Sequence, residues 1–220
     1  MTPEKRVVPP SDHWRSRLAK CRVTLPAREP RRPDDGLRGQ AARCEHLGRI
    51  RRLVERHNGV FGGCWCTWFH TFHAEKTFTA EGNRALKERL VEEGRAHAAL
   101  VFDGDEAVAW CQYGTPEELP NIHHRKEYEA ALDEPPDYRI TCIFVDKKHR
   151  RQGVTAAALR GAVDLIAQAG GGVVEGYPHD TGGQKVSVLY NGTRSLYERT
   201  GFSYLRPKGK RNCVMRKVVP

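Results

Sequence analysis

No apolar run in this chain approaches the roughly 18 or more residues that a membrane-spanning helix needs. A membrane partner is therefore not expected. The early charges are followed by no apolar segment, so no secretory signal is read and a cytoplasmic protein is expected. Matched cysteine pairs are missing as well. The seven cysteines are odd in number and scattered, which speaks for reduced thiols rather than a disulfide framework. Cys64 and Cys66 stand one residue apart, closer than the usual zinc spacing, and no second pair completes a set, so no metal site is expected. The glycine pattern of a dinucleotide fold is absent, along with the acidic residue that should follow it.

The charge that is present is uneven. The formal net charge is +10. Residues 1–58 hold 15 Lys or Arg against 7 Asp or Glu, while the other 162 residues hold 22 against 20. That basic quarter has almost no aromatic residues to stack on bases, so nucleic acid is not expected as a partner. Residues 1–41 read as a basic, Pro/Arg-rich leader with a candidate first strand at Arg22–Leu25 and loop from Pro26 to Gly39. Residues 42–220 are long enough for one well-buried domain.

Within that domain, apolar spacing predicts helices over Ala42–His57 and Thr79–Glu93, with Gly62–Phe72 extended or buried between them. A hairpin pairs Ala98–Phe102 with Ala107–Cys111. Gly114–Pro136 reads as a mobile cover with a short helix at Arg125–Leu132. Strands are expected at Arg139–Val145, Val173–Tyr177, Gly201–Leu205 and Cys213–Val218, and helices at Gln152–Gln168 and Val188–Thr200. Such an order suggests an α/β domain with a mixed sheet.

The most informative stretch joins the strand ending at Val145 to the alanine-rich helix. Its turn carries Arg150, Arg151 and Gly153, and a basic turn at a helix N-terminus suits a phosphate-bearing ligand. The run from Val145 to Thr155 resembles the signature of the GNAT superfamily of acyl-CoA-dependent N-acetyltransferases: Arg150, two residues, Gly153, one residue, then Thr155 where a smaller residue is usual. Leu196-Tyr197-Glu198-Arg199-Thr200-Gly201-Phe202 resembles a second family marker. The asparagine often found seven residues before the tyrosine is replaced by Tyr190, with Asn191 next to it. Gly63-Cys64-Trp65-Cys66, Ala109-Trp110-Cys111 and Val174–Pro178 resemble a bacterial branch without a confident substrate.

The resemblance implies the GNAT acyl-CoA N-acyltransferase fold: a mixed, mostly antiparallel central sheet, splayed at the cofactor site and flanked by helices. Acetyl-CoA becomes the expected cosubstrate. Arg150, Arg151, Gln152, Gly153, Val154 and Thr155 would hold its pyrophosphate. Ile143, Phe144 and Val145 would pair with pantetheine, and Asn191 would stand beside it. A backbone N–H near Ile143 or Phe144 would polarise the thioester. Tyr197 matches the family's general acid, its plainer reading being a packed aromatic. No motif fixes the base. Glu175 ranks first, then His179 and His124. Trp65, Trp110, His124 and Tyr177 would line the acceptor pocket.

The implied reaction is acetyl transfer to the amine of a small-molecule acceptor by direct attack in a ternary complex. A homodimer is compatible with it. Two alternatives stay open: a non-catalytic acyl-CoA sensor or structural protein, and an acetyltransferase acting on a protein or a tRNA-linked amine.

Overall fold

A computed structural model describes residues 39–41, 47–72, 75–180, 182 and 189–220. The expected strand at Arg22–Leu25 and nearly all of the leader lie outside the described residues, as do 42–46 of the first helix and Val188 of the last. The strands are β1 (Gly39–Ala41), β2 (His97–Asp103), β3 (Glu106–Gly114), β4 (Tyr138–Val145), β5 (Gly172–Gly176), β6 (Ser203–Lys208) and β7 (Asn212–Val219). The helices are α1 (Leu47–Glu55), α2 (Ala80–Glu92), α3 (Arg125–Ala130), α4 (Val154–Gln168) and α5 (Arg194–Arg199).

The strands form one sheet in the order β1-β2-β3-β4-β5-β7-β6. Every pair is antiparallel except β4 with β5. The mixed, mostly antiparallel sheet that the resemblance implies is therefore present.

Strand alternation divides the core between the two faces. On one face Ala99, Cys111, Ile143 and Val174 pack under α4 through Ala158, Leu159, Ala162 and Ile166. The other face presents Leu100, Trp110, Cys142 and Phe144 to Leu53 and Val54 of α1 and to Trp65 and Phe69.

The parallel pair is short. Tyr138, Arg139 and Ile140 match Val174, Glu175 and Gly176, and there the match ends. β4 runs on to Val145 with β3 still beside it. The gap on its other side is filled from the chain leading into α5. The Ile143 amide donates to Tyr190 O at 2.6 Å, and the His179 amide donates to Gly192 O at 3.0 Å. Tyr197, on α5, lies against Gly176 so closely that a Cβ there would overlap its ring.

Several expectations change. Gly39–Ala41 is an edge strand, because pairing with Ala99–Val101 overrides a loop-like local sequence. Of the two alternatives for Gly62–Phe72, the segment is mostly buried and not extended. Positive φ angles at Val60, Phe61, Gly62, Gly63, Trp65 and Cys66 wind 60–66 through left-handed turns, which for non-glycine residues is a strained arrangement. The last helix begins only at Arg194, capped by the Thr193 side chain accepting from the Leu196 amide. The expected cover is a packed segment: Leu119, Ile122 and Tyr128 are buried, and Arg139 Nη1 and Lys208 Nζ donate to Leu119 O and His123 O.

Gly176→Ala is expected to lower stability by about 1–3 kcal/mol by driving a methyl into the Tyr197 ring. Urea unfolding of the two proteins checks this; an unchanged midpoint would contradict the packing.

Candidate functional site

The turn after β4 is built from its own side chains. Asp146 accepts from the Lys148 amide at 2.9 Å and starts a 3-10 turn over Lys147–His149. Arg150 Nε donates back to Val145 O at 3.3 Å. Arg151 and Gly153 then take left-handed backbone angles, φ 61° and 77°. Gly153 is the N-cap of α4, and no side chain caps that helix. The first amides of a 15-residue helix are thus left for another acceptor, at its positive dipole end.

A cavity of about 470 Å³ opens at this point. Arg150, Arg151, Gly153 and Thr155 line one end, and Ile143, Phe144 and Val145 line another. A Cβ on Gly153 would meet nothing within 4 Å, so the glycine is required by its φ and leaves the helix start open. Three expected members do not line the cavity with their side chains, Asn191 among them, which donates to Tyr177 O. Gln152 folds back to donate to Lys148 O, and Val154 is buried in the core, leaving only its amide to contribute.

Along β4, Phe144 and Asp146 turn their amides toward β3; the latter reaches Val108 O. By alternation Ile143 and Val145 turn theirs into the gap. Of the two amides considered for polarising a thioester, Phe144's faces away and Ile143's is held by Tyr190 O.

Tyr197 is fully buried, and its hydroxyl has no hydrogen-bond partner. Burial pushes its pKa well above the usual tyrosine value, so it is a donor in search of an acceptor. Asn191 donates to Tyr177 O at 2.9 Å, and its buried side-chain oxygen is also unpartnered. An uncapped helix start, two basic side chains and a strand edge together fit a ligand that carries phosphates and an amide-rich arm, while Tyr197 is buried in the core and is not among the residues lining the cavity.

Glu175 does not serve as a free base. It is 0% exposed, and Arg216 donates to its Oε1 from Nε at 3.1 Å and Nη2 at 2.8 Å. Tyr128 and Tyr177 hydroxyls donate to its Oε2 at 2.7 and 3.2 Å. Its lone pairs are spent on a structural ion pair, on the sheet face away from Tyr197. Tyr177 is part of that network and is not among the residues lining the cavity. His124 is also elsewhere: it precedes α3 in a left-handed conformation, with its ring against Gly209. His179 lies beside the gap against Tyr190, and it is not among the residues lining the cavity. Its Nε2 is buried and unpartnered, burial lowers its pKa, and its ring meets Tyr190 edge-on at 5.1 Å.

A second cavity, about 250 Å³, adjoins the first through Phe61. Trp68, Phe69, His123 and Tyr190 line it, with Cys64, Cys66 and Cys142. Trp65 and Trp110, expected here, are 6% and 5% exposed and pack in the core between the sheet and α1. Trp68 and His123 take their place, stacked at 4.0 Å. The sequence signal for Trp68 was present but shared with its neighbours, and the left-handed turns decide which tryptophan faces out. The Cys66 hydrogen bond and burial push the Cys64 thiol pKa up, and burial does the same for Cys66, so neither is an activated nucleophile.

The profile described as the acetyltransferase (GNAT) family matches residues 64–202. No curated protein matches the sequence. Among solved structures, the chain is similar to a GNAT-family protein from Desulfovibrio desulfuricans, with 20% identity and a TM-score of 0.48 over 84% of this chain and 99% of that one. The paia N-acetyltransferase of Thermoplasma acidophilum, solved in complex with coenzyme A, gives 12% and 0.47 over 83% and 99%. The yncA protein of Salmonella typhimurium, solved with its cofactor acetyl-CoA, gives 11% and 0.48 over 84% and 94%.

The histidines around the gap generate a pH prediction. Burial, then the Lys208 charge, lower the His123 pKa to about 4. The unfolded chain binds that proton near pH 6.5. Stability should therefore be fully present above about 6.5 and fall as pH drops toward 4. Urea midpoints at pH 7 and pH 5 should differ less in His123→Asn than in the parent; an equal difference would contradict the assignment.

Proposed function

The chain belongs to the GNAT family of acetyltransferases, and on that footing we propose that it moves an acetyl group from acetyl-CoA to the amine of a small-molecule acceptor by direct attack in a ternary complex. Acetyl-CoA-dependent acyl transfer is the general chemistry of the family. The observation that carries the reading is the 470 Å³ cavity between the uncapped start of α4 and the free edge of β4.

The α4 amides with Arg150 and Arg151 hold the pyrophosphate. The Val145 amide, and the Ile143 amide once Tyr190 O releases it, serve the pantetheine arm and the thioester carbonyl. The cosubstrate supplies an acetyl group activated as a thioester. The acceptor nitrogen's lone pair forms the new C–N bond as the C–S bond breaks. His179 Nε2 takes the proton that the nitrogen sheds, and the Tyr197 hydroxyl donates one to the departing sulfur. The products are an N-acetyl amide and a free thiol.

A non-catalytic acyl-CoA binder gains support from one fact: Glu175 is tied up, and among the described residues no carboxylate lines the cofactor cavity or the aromatic pocket. Thiol release from acetyl-CoA, screened against a broad set of amines, separates the two readings. Gly153→Val should weaken acetyl-CoA binding at least tenfold, since the left-handed angle costs a branched residue about 1–3 kcal/mol. Tyr197→Phe should keep the Kd and lower kcat by about 100-fold. Saturable binding without turnover for any amine would overturn the enzyme reading.

A further inference from the structure

Three cavities are linked through shared lining residues. The cofactor cavity and the aromatic pocket share Phe61. That pocket shares Cys64 and Trp68 with a third space of about 320 Å³, which Lys76 also lines. Lys76 Nζ sits 4.2 Å over the Trp68 ring. Among the described residues the charged groups lining the three cavities are Arg150, Arg151, Arg199 and Lys76, all positive. Residues 73–74 and 181–188, close by in sequence, contain no Asp or Glu.

Cations at both ends, with no carboxylate among the described lining residues, disfavour polycationic acceptors such as polyamines. They attract a molecule whose far end is anionic. The aromatic pocket is built of π faces: Trp68, Phe69, His123 and Tyr190. Their rings meet at separations of 4.0 to 6.3 Å, as aromatic groups prefer. The cofactor cavity and the space lined by Lys76 share no residue, while the aromatic pocket shares residues with both, so an amine at the thioester and an anion at Lys76 sit at opposite ends of a flat spacer.

We propose that the acceptor is an aryl amine bearing a carboxylate on the far side of its ring, with the ring in the aromatic pocket and the carboxylate at Lys76. The inference rests on the acetyltransferase reading and names its substrate class. An aryl amine is unprotonated near neutral pH, which suits a gap whose candidate base is a neutral imidazole. Its nitrogen lone pair forms the C–N bond as the C–S bond breaks. The nitrogen loses one proton to His179, the sulfur gains one from Tyr197, and the products are an N-acetyl aryl amide and free CoA thiol.

Three size-matched para-substituted probes differ chiefly in far-end charge: 4-aminobenzoate, 4-aminobenzamide and 4-aminobenzamidine. The expected kcat/KM falls in that order, by at least about tenfold per step. Lys76→Glu should reverse the order with an unchanged Kd for acetyl-CoA, and Lys76→Met should flatten it. Equal rates for the three probes, or an order that Lys76→Glu leaves in place, overturns the inference and leaves the enzyme standing. Turnover of other amines with none of these three also overturns it. Binding of acetyl-CoA with no turnover of any amine is the separate failure of the parent reading.

Discussion

The site exists because β4 and β5 stop pairing after three residues. A parallel pair that continued would satisfy the Ile143 and Val145 amides within the sheet and close the space between the strands. Two groups keep the strands apart. Tyr197 wedges its ring against Gly176, where no side chain could fit, and the Tyr190 carbonyl takes the Ile143 amide. The wedge is apolar except for its hydroxyl, which finds no partner in the protein. A buried donor without an acceptor costs about 1–3 kcal/mol.

The other side of the same strand shows the opposite solution. Glu175 carries a charge into the sheet and has every oxygen engaged by Arg216, Tyr128 and Tyr177. That ties β5, β7 and α3 together at the point where the sheet parts. Losing one partner of such a pair is costly because it strands the other charge in a dry environment. The contrast separates a structural carboxylate from a chemical one: the same residue type, apolar in its sequence neighbourhood, is inert when its lone pairs are full.

Local pattern made much of this legible. The strand ending at Val145, the basic turn and the alanine-rich helix to Gln168 are read from residues adjacent in sequence, and their geometry is local. The hairpin across Asp103–Glu106 is legible for the same reason. What was not legible depends on distant partners. Nothing near Glu175 announces Arg216, 41 positions away. Trp65, Trp68 and Trp110 look alike in sequence; the left-handed backbone from Val60 to Cys66 sets Trp65 inward and Trp68 at the pocket, while Trp110 is turned inward by its place on β3. That winding includes Val60, a branched residue whose chemistry argues against it, so tertiary packing sets it. His123 and His124 are neighbours, yet the left-handed angle at His124 sends their rings to different places.

The central claim is that the first amides of α4 and the free edge of β4 hold one ligand between them. Amide chemical shifts of the isotope-labelled protein, followed while coenzyme A is added, test it most directly. The account predicts saturable shifts at Gly153, Val154 and Thr155 together with Ile143 and Val145, at a common Kd. Shifts confined to other surfaces, or a response at the helix start with none along β4, would contradict it.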